Sequence, residues 1–139
     1  RYLPILTEED GTESSTPARI NRFTGIIEVS KRKFIDLTVP ERLCILFHEF
    51  SHMHLNEDEF NELEADLNGL TLYLALGYPR FEALNTFITT FYTVAARDDD
   101  NAARNTERYE HIEKFVRGFD TYFNKDAFNR VGAPAGKAA

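Results

Sequence analysis

The stretch TVPERLCILFHEFSHMHL, residues 38–55, constrains this chain more than any other. Thr38 followed three residues later by Glu41 is a capping box, and Pro40 is tolerated in a first helical turn. The spacing predicts a helix from about Val39 to about His54, apolar at Leu43, Leu46, Phe47 and Phe50. On that helix His48 and His52 stand one turn apart on one face, about 6 Å along the axis. Two imidazoles so placed can converge on one cation. Glu49 is turned by roughly 100° from His48, beside the cation and not under it, where a carboxylate can take a proton from water. The competing reading is a core helix with two satisfied histidines, which requires a separate partner for each of two buried polar rings. Zinc suits the pair, because it takes imidazole nitrogen at about 2.0–2.1 Å in tetrahedral geometry. One Zn2+ per chain is expected.

A catalytic zinc keeps three protein ligands and an open position. The third ligand is sought in NELEADLNGL, residues 61–70. Asn56 with Glu59 three residues on repeats the capping pattern, so a second helix is expected from there to about Leu76, stopped by Gly77 and Pro79. Folding the two helices back at Asn56 gives an αα-hairpin with Glu62 opposite His48 and Glu59 opposite His52. Glu59, Glu62 and Asp66 then form an acidic stripe within roughly 60° of arc. Ala65 and Gly69 flank it and let the helices approach closely. Leu63, Leu67, Leu70 and Leu74 lie to one side and bind the core, while Glu64 and Asn68 point into solvent. Glu62 is the first candidate and Glu59 the second. Asp58 is a third, since it falls ten residues after His48 as in the metzincin pattern, although the glycine that pattern needs is here Leu55.

The remaining sequence frames this pair of helices. Residues 1–19 lack an apolar period and read as an irregular lead-in. INRFTGIIEVSKRKFIDL, residues 20–37, favours two or three short strands, including one from Gly25 to Ser30. A third helix is expected at about 80–96, with Phe81, Phe87, Phe91 and Tyr92 in the core, and a fourth at about 102–124. Asp98, Asp99, Asp100 and Asn101 read as a solvated linker and lack the alternating oxygens and closing glutamate of a calcium loop. The fold class is therefore α+β: a small N-terminal β-sheet, the histidine helix and three further helices. Residues 20–129 form one domain, followed by a disordered tail at 130–139.

Charge and composition exclude several functions. The net charge of −7 argues against nucleic acid, and the cluster Lys31, Arg32, Lys33 reads as a solvated strand end or turn. The single cysteine, Cys44, rules out an intrachain disulfide framework and reads as a small buried hydrophobe one turn before His48. No run approaches the roughly 18 apolar residues of a membrane span, and the first thirty residues lack a signal-peptide core. A cytoplasmic compartment is the expectation, though the chain begins at Arg1 and not at Met.

His48-Glu49-x-x-His52 followed by Glu62-x-x-Ala65-Asp66 resembles the gluzincin zinc metallopeptidases. The resemblance spans about residues 20–77, with only nine residues between His52 and Glu62, fewer than in larger members of that family. It implies a zincin-like fold with His48, His52 and Glu62 as zinc ligands. Glu49 would be the general base, and Asp66 the carboxylate that fixes a ligand histidine's tautomer. TGIIEVS, residues 24–30, is similar to the edge strand along which such enzymes align an extended substrate. The implied activity is hydrolysis of peptide bonds in a protein or peptide by a metal-activated water. A catalytically silent zincin-like module that binds a protein partner is the alternative. For an oxyanion donor the candidates are Tyr73 first, then Tyr92, Tyr109 and His111. His54 is expected to serve the helix end.

Overall fold

The computed structural model describes residues 1–95 and 99–119. It is a small α+β fold whose described residues form a three-stranded sheet and five helices. The strands are β1 (Tyr2–Leu3), β2 (Ala18–Ile20) and β3 (Ile27–Ser30). The helices are α1 (Lys31–Phe34), α2 (Val39–His54), α3 (Glu62–Ala75), α4 (Arg80–Ala95) and α5 (Asp99–Phe119). Among the described residues no helix is long and apolar enough to cross a membrane.

The sheet order is β1-β3-β2, with β1 parallel and β2 antiparallel to β3. Two expectations change here. The lead-in is structured: it supplies β1 and the start of β2, buries Leu6, and turns through Glu8 to Thr12, whose main chains bond at 2.8 Å. A two-residue strand is too short to show a period, so pairing and burial decide it. The segment 24–30, expected as an edge, instead contains the central strand β3, and β2 is an edge. Lys31, Arg32 and Lys33 form the one-turn helix α1, because the Ser30 hydroxyl caps it by accepting from Lys33 N at 3.4 Å.

Helix α2 runs as its capping box dictates. Thr38 Oγ1 accepts from Glu41 N at 3.3 Å, and Glu41 Oε1 accepts from Thr38 N at 3.2 Å. Helix α3 starts later than expected, at Glu62, because Asn61 and not Asn56 caps it, accepting from Glu64 N at 2.9 Å. The Asn56 amide instead braces the connecting loop. It donates to the carbonyls of Asp58 and Asn61 at 3.0 and 2.9 Å and accepts from Asn68 at 3.0 Å. Gly77, at φ +87°, ends α3 in the left-handed conformation glycine tolerates. Asp99 and Asp100 open α5 and do not form a linker; Asp98 and the tail at 130–139 lie outside the described residues, as does the expected helix beyond 119.

Two cores meet on α2. Ala18, Val29, Phe34 and Ile45 pack the sheet against one side of it. Cys44, Leu70, Tyr73, Phe87, Ile112 and Val116 join it to α3, α4 and α5 on the other. Phe81, expected in this core, is exposed. Wedged between both cores, α2 has little freedom to rotate, which fixes the direction of its histidines.

Candidate metal centre

Close contact between α2 and α3 builds the centre. A Cβ on Gly69 would lie 2.9 Å from His48 N and 3.0 Å from both His48 Cα and the Phe47 carbonyl carbon, so only glycine fits there. Ala65, fully buried, adds a second small contact on α3. With the backbones this near, a side chain from α3 can reach the space between the two imidazoles.

Glu62 does so. Its Oε2 lies 3.2 Å from His48 Nε2 and 3.4 Å from His52 Nε2, and the two Nε2 atoms are 3.1 Å apart. Tetrahedral zinc with bonds of about 2.0–2.1 Å has ligand–ligand edges of about 3.3–3.4 Å. The three atoms therefore already outline one face of such a tetrahedron. Two imidazole nitrogens and one carboxylate are also donors that zinc accepts. Among the described residues this is the only such group of candidate ligands, and it comprises these three side chains.

Each histidine has a polar partner beside its second nitrogen. His52 Nδ1 lies 2.7 Å from the main-chain carbonyl of Glu59, leaving Nε2 to face the group. That carbonyl also accepts from Arg22 Nη1 at 2.7 Å. His48 Nδ1 lies 2.8 Å from Asp66 Oδ1, an ion-pair distance without an aligned hydrogen bond. Asp66 is fully buried and receives Arg108 Nε and Nη2 at 2.9 Å each.

Charge follows from these contacts. Burial works against a proton on His48, but Asp66 and Glu62 outweigh it and hold the imidazolium up to about 10. Burial likewise opposes charge on Glu62, yet the two histidines hold its carboxyl well below the usual range. Glu49, 3.9 Å from His48 Nε2, is pushed upward chiefly by burial, with the histidine charges opposing. A carboxylate of raised basicity beside the histidine pair is suited to receive a proton.

Other candidates stand elsewhere. Glu59 contributes its carbonyl, and Asp58 Oδ1 accepts from Phe60 N at 3.0 Å in the exposed loop. Glu64, expected to be solvated, is half-buried and accepts from Glu57 N in that loop. Tyr73 is not at the site: it is fully buried in the helical core, where its hydroxyl donates to the Pro79 carbonyl at 2.6 Å. Its phenol and the Cys44 thiol are both pushed up by burial, and Cys44 packs in the same core. His54 stacks on Phe50 with ring centroids 4.6 Å apart, His111 is exposed beside Glu107, and Tyr109 packs against the helical core. The side chain of Tyr92 lies outside the described residues.

A cleft of about 370 Å3 opens onto the group, lined by Ala18 and Ile20 of β2, Ile45 and Glu49 of α2, Phe87 of α4 and Arg108 of α5. Arg108 and Arg22 were not singled out in the sequence, where no motif spacing marks either one. Comparison with family models, curated proteins and solved structures gave no match, so the reading of this centre rests on its own geometry.

Proposed function

We propose that this protein is a zinc-dependent peptidase of gluzincin type, with His48, His52 and Glu62 as ligands and Glu49 as general base. The observation that carries this reading is the triangle of candidate ligand atoms with edges of 3.1, 3.2 and 3.4 Å, lying beside the half-buried carboxylate of Glu49. A zinc ion there would supply Lewis acidity to the scissile carbonyl and make its bound water more acidic. Glu49 takes the proton of the attacking water and returns it to the leaving amine. Asp66 and the Glu59 carbonyl keep both imidazoles turned so that Nε2 serves as donor atom.

The substrate would lie along β2. Val29 N donates to the Arg1 carbonyl on the β1 side, and Val29 pairs with Ala18. Alternation across an antiparallel pair then directs the main-chain N–H and C=O of Ala18 and Ile20 away from β3. Ala18 and Ile20 line the cleft, and main-chain groups so directed can pair with an extended peptide as an added strand. Ile20, Ile45 and Phe87 give that cleft an apolar wall.

Elemental analysis tests the metal and proteolysis tests the base. About one zinc per chain is expected, lost when His48 or His52 becomes Ala. Glu49→Gln should retain zinc and lower cleavage of an unfolded protein by roughly 100-fold or more. Loss of zinc in that variant makes Glu49 a ligand and overturns its role. Zinc binding without cleavage of any unfolded substrate would favour the silent, partner-binding module instead.

A further inference from the structure

Helix α5 reaches the centre through Arg108, a residue 42 positions from Asp66 in the chain. Its Nε and Nη2 donate to Asp66 Oδ2 and Oδ1 at 2.9 Å each, and Nη2 also lies 3.6 Å from Glu62 Oε2. One guanidinium thus touches both the carboxylate behind His48 and the carboxylate beside the two imidazoles. We propose that Arg108 is a positioning residue of the metal centre: its planar fork fixes the Asp66 carboxylate, and Asp66 in turn fixes the imidazole of His48. This inference rests on the metal-centre reading above.

The reasoning starts from Asp66, which is fully buried. A buried carboxylate needs charged or hydrogen-bonding partners. A two-pronged guanidinium sets both carboxylate oxygens in one plane, which a single ammonium does not do. With Oδ2 and Oδ1 both engaged, Oδ1 has one place to be, and that place is 2.8 Å from His48 Nδ1. A carboxylate charge fixed 2.8 Å from Nδ1 favours a proton on that nitrogen and leaves Nε2 as the donor to metal. Without the fork, Asp66 would turn about its side-chain bonds, and His48 would lose a defined orientation. A residue that only fastens α5 to α3 would stabilise the fold without altering how the metal is held. The two roles therefore differ in a measurable way.

The experiment uses the full chain and four proteins: wild type, Arg108→Met, Arg108→Lys, and Arg117→Met as a control on the exposed face of the same helix. Zinc affinity is read by competition with a chromophoric chelator, and coordination geometry by the visible absorption of the cobalt-substituted protein. Arg108→Met is expected to weaken zinc roughly 10- to 100-fold and to change the cobalt spectrum. Arg108→Lys should recover part of the affinity, and Arg117→Met should match wild type. Unchanged affinity and spectrum in Arg108→Met overturn the proposal, even if the melting temperature falls. If that variant does not fold, Arg108→Lys decides, and wild-type behaviour there overturns the role of the fork. A wild type that takes up no zinc removes the metal-centre reading and this inference together. Zinc uptake by wild type with no effect at position 108 removes this inference alone.

Discussion

His48 carries the clearest consequence at the scale of single residues. With Asp66 2.8 Å from Nδ1 and Glu62 3.2 Å from Nε2, the metal-free protein holds its proton up to about 10, against an ordinary 6.5. A proton bound more tightly in the folded state stabilises the fold fully below pH 6.5 and stops doing so as pH rises through about 10. Chelator-treated protein should therefore lose on the order of a few kcal/mol of stability between pH 7 and 10, read as a progressively lower melting temperature. Glu62 is the other half of the same interaction: its depressed carboxyl contributes above 4.5, and that contribution fades as pH falls further. Zinc bound as proposed would have to displace the His48 proton, so affinity should rise from pH 6 to 9 and uptake at pH 7 should release a proton. Calorimetry in two buffers of different ionisation enthalpy measures that release. Affinity that falls with rising pH would contradict the assignment. His48, Glu49 and His52 were legible in the sequence because helical spacing alone sets their mutual directions, whereas Glu62 was the first of three carboxylate candidates and its choice needed the packing of α3 on α2. Arg108 was not, because no local period connects residue 66 with residue 108.

At the scale of elements, the approach of α3 to α2 controls the site. Alanine for glycine inside a helix ordinarily gains about 1 kcal/mol. At position 69 the added methyl would meet α2 backbone at 2.9–3.0 Å, and backbone cannot swing aside as a side chain tip can. Gly69→Ala should thus destabilise the protein by about 1–3 kcal/mol and weaken zinc binding, read by chemical denaturation and chelator competition. Thr38→Ala offers the contrast. It removes the capping box of α2, far from the ligands, and should cost about 1 kcal/mol with zinc affinity unchanged. If both variants lose stability and affinity in proportion, the site depends on global stability and not on helix spacing. The start of α2 could be read from its capping box, whereas the start of α3 could not. Asn56 and Asn61 both have a cap's chemistry, and only the loop that Asn56 braces shows which one serves as the cap.

For the molecule as a whole, metal and fold should be coupled under the proposed reading, since the candidate ligands come from two helices and Arg108 ties in a third. Free zinc at 100 times its dissociation constant should stabilise the protein by about 2.7 kcal/mol. For a chain of this length that is a rise of about 9 °C in melting temperature, reversed by chelator, with the protection of α2 and α3 amides rising together. No shift on zinc addition would mean that the site does not bind it. By itself the sequence determined the histidine helix and the α+β class, because caps and a 3.6-residue period act between neighbours a few positions apart. Only tertiary structure decided that β3 is central and β2 an edge, that Glu62 and not the Glu59 carboxylate faces the imidazoles, and that Arg108 grips Asp66. Those outcomes depend on where loops turn and which surfaces bury each other, and contacts between distant parts of a chain leave no spacing to read.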